Sequence, residues 1–169
     1  MDVQTQLSQE HEILRGHLAR IMSAAERRDA GALAANLLEA RTALTQDLDA
    51  HITVEETEAF TAISGALGAD LVAPFCAEHS QIRALRDDLY AHLARGEALF
   101  EPVLYLCDVI LAHQEREDMM LFPSLREALA GNGLRQQNQA ERRAVASRIK
   151  RPSPDSRAHV PASAVSPSR

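Results

Sequence analysis

The sequence predicts an all-α protein, an antiparallel up-down-up-down four-helix bundle, and three observations carry that expectation. Ala, Leu, Glu, Arg and Gln dominate the 169 residues, the side chains a helix costs least to order, whereas Gly and Pro number seven each and aromatic residues are 4%. An all-β chain would need β-branched and aromatic strands punctuated by Gly and Pro. Four long segments place apolar residues three and four apart, separated by short clusters of Gly, Asp or Pro. Short connections between long amphipathic helices favour antiparallel neighbours.

The first helix is expected from about Thr5 to Arg28, with Leu7, His11, Leu14, Leu18, Ile21 and Ala25 along one stripe. Asp29, Ala30 and Gly31 form a turn in which Asp29 suits the N-cap of the second helix. That helix carries Leu33, Leu37, Ala40, Leu44, Leu48, His51 and Glu55 and is expected to end near Ser64, with Gly65 and Gly68 as stop signals. Asp70 is the expected cap of the third, whose stripe is Phe75, His79, Ile82, Leu85 or Arg86, and Leu89, closed by Gly96. Pro102 fits the first turn of the fourth helix, which presents Val103, Leu106, Ile110, His113, Glu117, Met120 and Leu121. It should run to about Ala130, where Gly131, Asn132 and Gly133 stop it.

Residues 1–134 are expected to form the bundle and 135–169 a separate tail. The formal charge of −6 divides into −12 for the first part, with 22 acidic and 10 basic side chains, and +6 for the second, with 2 and 8. Rich in Pro, Ser and Arg, the tail offers too little apolar surface to offset its ordering entropy and is expected to be disordered. Arg142, Arg143, Arg148, Lys150 and Arg151 would suit nucleic acid or the acidic bundle itself, but no aromatic residue is present for base stacking. A solubilising extension is therefore the expectation, and nucleic acid is not an expected partner. Asp70 and Asp108 interrupt the longest apolar stretches well short of the roughly 20 residues a bilayer span needs. Neither a membrane anchor nor a secretion signal is read, and Cys76 and Cys107, both expected in apolar surroundings, lack metal or redox spacing. A cytoplasmic setting is expected.

Seven histidines stand out in this composition. Four of them, His11, His51, His79 and His113, share the core-facing stripes with two carboxylates, Glu55 and Glu117. An ionised carboxylate in a low-dielectric interior costs several kcal/mol, as an order of magnitude, unless paired and hydrogen-bonded. Arg15 and Arg116 fall on flanking faces, so the natural counter-ions are two divalent cations. In H-x-x-x-E the imidazole and carboxylate lie one turn apart on one face, so a helix can give a nitrogen to one metal and a carboxylate between two. The second and fourth segments do this, and the first and third each add one His. A lone His on an apolar stripe is more often a hydrogen-bonded core residue; four at one level, two with Glu four residues on, point to metal. Nitrogen and oxygen donors without thiolate suit iron, manganese or zinc, and spacing does not choose among them. Rival motifs fail: Arg15 stands where a zincin helix needs its second His, and Leu48 and Ile110 stand where a Glu-x-x-His site needs Glu. The halves also repeat each other, EHEILRGHL at Glu10 with EHSQIRAL at Glu78, and HITVEETEAF at His51 with HQEREDMMLF at His113.

One His, H-x-x-x-E, one His, then H-x-x-x-E followed by Leu121, Phe122 and Pro123 resembles the hemerythrin-like family of HHE cation-binding domains, over about residues 7–128. The resemblance implies two non-haem irons held by His11, His51, Glu55, His79, His113 and Glu117, bridged by the two glutamates and an oxo or hydroxo group. Implied ligands are dioxygen, nitric oxide or peroxide, and the implied role is binding or sensing of oxygen, nitric oxide or iron. A di-iron enzyme acting on peroxide or nitric oxide, or an iron donor in iron-sulfur repair, is the alternative. The repair branch carries a cysteine-bearing segment before the bundle, and the beginning of this chain near helix one places that version lower. Oxygen-carrying hemerythrins have a second His four residues after the third-helix His, where this chain has Arg83. Four histidines instead of five argue against a familiar reversible oxygen carrier. Those carriers also take the carboxylate five residues after the fourth-helix His, which here is Asp118. That residue lies about 140° around the helix from His113, so Glu117 is the expected bridge.

His17 and His92 are off the level of the site and expected in solvent or hydrogen-bonded behind the ligands rather than on metal. Cys76 lies one turn before His79, where a redox-sensitive thiol would sit, although an inert packed cysteine is the commoner outcome. Tyr90 and Tyr105 have no assigned place. Met119 and Met120 are expected to pack; Glu56, Glu58 and Glu115 are expected on hydrated faces, with Glu58 the one nearest the site's entrance.

Overall fold

The computed structural model describes residues 2–97 and 99–131, together with 139, 140 and 143. Regular structure among them is helical throughout. Helix α1 spans Val3–Glu26, α2 Ala30–Glu39, α3 Leu48–Val54, α4 Phe60–Leu67, α5 Ala73–Leu93 and α6 Phe100–Arg116. Three π turns, Ala43–Asp47, Glu55–Ala59 and Glu117–Leu121, join or extend these helices, Ala69–Leu71 forms a 3-10 turn, and residues 122–131 are helical. Met1–Asn132 and Gly133–Arg169 form separate units, and the first holds everything that follows. The expected disordered tail lies outside the described residues, except that 139, 140 and 143 are helical and exposed. Among the described residues, no helix is long and apolar enough to cross a membrane.

Asp2 caps α1 by accepting from the Thr5 N–H at 2.9 Å, and Asp29 caps α2 from the Ala32 N–H at 2.9 Å, as its position predicts. The next stop signal falls later than expected. Residues 41–67 are helical without a break, Gly65 sits inside α4, and Gly68 at φ +112° ends it. Only Gly takes that backbone conformation without strain, which is why the second glycine of the pair is the stop. Asp70 is not a cap: it belongs to the 3-10 turn, and α5 starts at Ala73 without a side-chain cap, helped by Pro74 in its first turn.

Helix α1 packs along α2 and α6, and α5 packs along α6. Polar ties fix α5 to the 30–67 run: the Tyr90 hydroxyl donates to the Leu37 carbonyl at 3.1 Å, and Arg86 donates to the Leu44 carbonyl at 3.4 Å and to Asp49 at 2.9 Å. Of the two candidates for that stripe position, Arg86 is the buried one and Leu85 is partly buried. Its guanidinium also reaches Asp87 at 2.8 Å, so the buried charge is compensated.

The apolar interior falls into two clusters. One gathers Leu14, Leu18, Leu44, Leu48, Ile52, Ile82 and Ile110; the other gathers Leu7, Ala59, Phe60, Ile63, Phe75, Leu121 and Phe122. Between them, on every contributing helix, lies a buried polar layer of His11, His51, Glu55, His79, His113 and Glu117. Met119 and Met120, expected to pack, are exposed at 61% and 55%. A π turn inserts one residue into the helical repeat, so Leu121 and Leu125 take the next inward positions after Glu117 and Met120 points outward.

Candidate metal centre

The two bridging candidates occupy matching backbone positions. Glu55 is the first residue of the π turn Glu55–Ala59, and Glu117 the first of Glu117–Leu121. Such local widenings of a helix occur frequently at functional sites, where they re-aim a side chain without ending the helix. Each glutamate is fully buried and sits one turn beyond its histidine.

All six sequence-predicted residues converge, as two adjoining groups. In one, His51 Nε2 lies 3.2 Å from Glu55 Oε1, His11 Nε2 lies 3.1 Å from Glu117 Oε2, and the two imidazole Nε2 atoms are 3.1 Å apart. In the other, His79 Nε2 lies 3.2 Å from Glu55 Oε2, and His113 Nε2 lies 3.0 Å and His79 Nε2 3.7 Å from Glu117 Oε1. Each carboxylate thus turns one oxygen to each group. Within a group the donor atoms all lie within 4.8 Å of one another. Ligands about 2.1 Å from one ion stand roughly 3.0 Å apart in an octahedral and roughly 3.4 Å in a tetrahedral arrangement, so these separations could accommodate a metal ion.

Apart from the His11–His51 contact, the close approaches inside the cluster lack hydrogen-bond geometry. Both oxygens of Glu55 and of Glu117, and Nε2 of His79 and of His113, are buried with no hydrogen-bond partner among the described residues. Native structures rarely leave such atoms unpaired, and the cations the donor set suits would satisfy all of them. Buried His/Glu groups that could hold metal are therefore a property of this fold.

A set of outer carboxylates orients the imidazoles, and sequence reasoning missed it. His51 Nδ1–H donates to Glu10 at 2.8 Å, His79 Nδ1–H to Glu56 at 2.9 Å, and His113 Nδ1–H to Glu78 at 2.8 Å. The fourth approach is too long for a hydrogen bond, His11 Nδ1 standing 3.6 Å from Asp118, which Arg15 holds at 2.6 Å. Arg116 likewise holds Glu78 at 2.9 Å. A proton fixed on Nδ1 leaves Nε2 as the free donor facing the centre. Glu56, expected on a hydrated face, has this role instead, and Asp118, the alternative bridge, stands behind His11 rather than in the centre. The repeated Glu-His at 10–11 and 78–79, with Glu-Glu at 55–56 and Glu-Asp at 117–118, was the available signal. Glu10→Ala is expected to weaken metal binding in the His11/His51 group by about 10–100-fold and to spare the other group, as isothermal titration would reveal.

Electrostatics follow from the packing. Burial drives the His51 and His79 pKa values down, but the Glu55 carboxylate with Glu10 in the first case, and Glu117, Glu55 and Glu56 in the second, overcome it and push them up to about 9 and about 10. Burial pushes the Glu117 carboxyl up, and contacts with His11, His113 and His79 outweigh this and hold it well below the usual carboxylate range. Metal-free, the cluster holds protons on His51 and His79 beside an ionised Glu117. Metals must displace those protons.

The remaining candidates divide. His17 bonds Arg20 and His92 bonds Glu97, both away from the centre. Tyr105 is exposed. Cys76, expected in apolar surroundings, is exposed, while Cys107 is buried and its thiol is pushed up to about 12 by burial and Asp108. Partial burial and Glu56 also raise the Cys76 thiol, which disfavours the reactive thiolate. Glu58 is exposed and does not line the cavity that reaches the histidines.

Fold and site together define a helical protein with a buried paired His/Glu cluster suited to metal. No family model matches the chain, and no curated protein or solved structure matches it.

Proposed function

We propose that this chain is a hemerythrin-like, non-haem di-iron protein of the cytoplasm that binds or senses dioxygen, nitric oxide or iron. The observation that carries the reading is the sharing of Glu55 and Glu117 between two adjoining groups, each completed by two histidines. In this reading α1, the run 30–67, α5 and the run 100–131 are the four rods of an up-down-up-down bundle, and the π turns at Glu55 and Glu117 aim the bridges inward. Two nitrogens and two carboxylate oxygens for each ion leave coordination positions free for a small ligand. Bound iron would supply reversible one-electron chemistry and affinity for diatomic ligands. The protein's own part is to hold the imidazoles in one tautomer through Glu10, Glu56 and Glu78, and to keep bulk water out with the apolar clusters on either side.

Metal analysis of protein purified without added metal tests the proposal, with about two irons per chain as the expected result. Absorption bands of a bridged ferric pair should vanish on reduction and return on exposure to oxygen. Zinc alone, or no metal, overturns the di-iron reading. Catalytic consumption of peroxide or nitric oxide, lost in Glu55→Ala and Glu117→Ala proteins that still fold, would replace binding by turnover.

A further inference from the structure

The internal repeat gives the two groups matching donors, and the differences between the halves are therefore informative. Glu10, His11 and Arg15 correspond to Glu78, His79 and Arg83, and His51, Ile52 and Val54 correspond to His113, Gln114 and Arg116. A cavity of about 220 Å³ opens beside the first group and is lined by Glu10, His11, Leu14, Ala50, His51 and Gln114, among others. The corresponding groove on the other side is lined by Glu78, Gln81, Asp108, Val109, Ala112 and Arg116, and no imidazole reaches it. In it Arg116 pairs with Glu78 at 2.9 Å, in front of His113, whereas its counterpart Val54 has no charge to offer Glu10.

Gln114 is the second difference. It is 2% exposed, lines the open cavity, and its side-chain Oε1 is buried with no hydrogen-bond partner among the described residues. Its counterpart Ile52 is fully buried and apolar. A buried amide without a partner costs about 1–3 kcal/mol, so Gln114 is a poor choice for packing alone. It gives the cavity a hydrogen-bonding group beside the histidines. Because an amide can turn either its oxygen or its NH₂ inward, it can serve a ligand as acceptor or donor.

We propose that Gln114 is a positioning residue that hydrogen-bonds a small uncharged ligand reaching the His11/His51 group through this cavity. The inference rests on the dinuclear reading and deepens it: the two metal positions, alike in protein donors, are unequal in access. Neutral ligands of diatomic size suit the cavity because its walls are largely apolar and, besides the imidazoles of His11 and His51, its only titratable side chains are Glu10 and Asp47.

Nitric oxide is the probe, added anaerobically to iron-loaded protein and followed by absorbance. Gln114→Ile, which copies Ile52, is expected to keep the metal content of the parent and to bind nitric oxide about tenfold more weakly. Ala50→Phe, at the exposed mouth, is expected to slow association by about tenfold or more, and Ala112→Phe, in the groove that no imidazole lines, to leave it unchanged. In the metal-free protein, xenon should shift the Leu14 methyl resonances and lose that effect in Ala50→Phe. Unaltered nitric oxide binding in Gln114→Ile and Ala50→Phe proteins that hold full metal, or slowing by Ala112→Phe, overturns this inference alone. Failure of the unsubstituted protein to take up metal overturns the dinuclear reading and this inference with it.

Discussion

Glu117→Ala is expected to empty both metal positions at once, and Glu55→Ala to do the same. Each carboxylate faces the first group with one oxygen and the second with the other, so either substitution removes a donor from both. Loss of an outer partner alone typically costs about 10–100-fold in affinity, so loss of a direct donor should exceed about 100-fold at each position. His51→Ala touches the first group only and should leave about one ion per chain. Asp118→Ala should retain both ions, which separates the two neighbouring carboxylates that spacing alone had to choose between. Metal content after dialysis reads all four proteins, and a Glu117→Ala protein that keeps one ion would contradict a shared bridge.

Chelation should lower the melting temperature by roughly 20 °C or more. Free metal at about 1,000 times its dissociation constant stabilises the folded state by about 4 kcal/mol per site, hence about 8 for two. At roughly 3 °C per kcal/mol for a domain of this size, the shift is large. The metal-free protein has its own pH dependence. His51 and His79 are raised to about 9 and about 10, above the ordinary 6.5, so the stability they contribute is fully present below pH 6.5 and is lost as pH rises through 9 to 10. Metal affinity runs the other way, because protons leave as metal enters. The melting difference between loaded and stripped protein should therefore be wider at pH 9 than at pH 7 in thermal scans, and an equal difference at both would show that these imidazoles do not face the cage.

The stripes were legible because six polar side chains at helical spacing among Leu and Ile have few physical explanations. Stripe reading failed where the backbone departs from 3.6 residues per turn. Met120 follows Glu117 by three residues and would share its face in a regular helix, but the π turn hands that place to Leu121. The outer carboxylates were hidden for a different reason. Glu10, Glu56, Glu78 and Asp118 are half-exposed, at stripe edges where a solvated Glu looks the same in sequence, and only the repeat of Glu-His and Glu-Glu or Glu-Asp pairs marks them. The unequal access of the two groups was written in Ile52 against Gln114, yet it has meaning only once packing leaves a cavity on one side.

Each outer carboxylate belongs to one helical segment and its imidazole to the next: Glu10 to His51, Glu56 to His79, Glu78 to His113, and Asp118 back to His11. Three hydrogen bonds and one longer approach of 3.6 Å form a directed loop that closes for one circular order of segments and one axial alignment. Leucine stripes tolerate sliding by a turn, since one Leu replaces another; a slip of about 5.4 Å would separate every carboxylate from its histidine in both directions along the moved segment. The loop thus acts as a vernier for the assembly, so that a surface of ordinary-looking acids sets the alignment that the greasy interior leaves free.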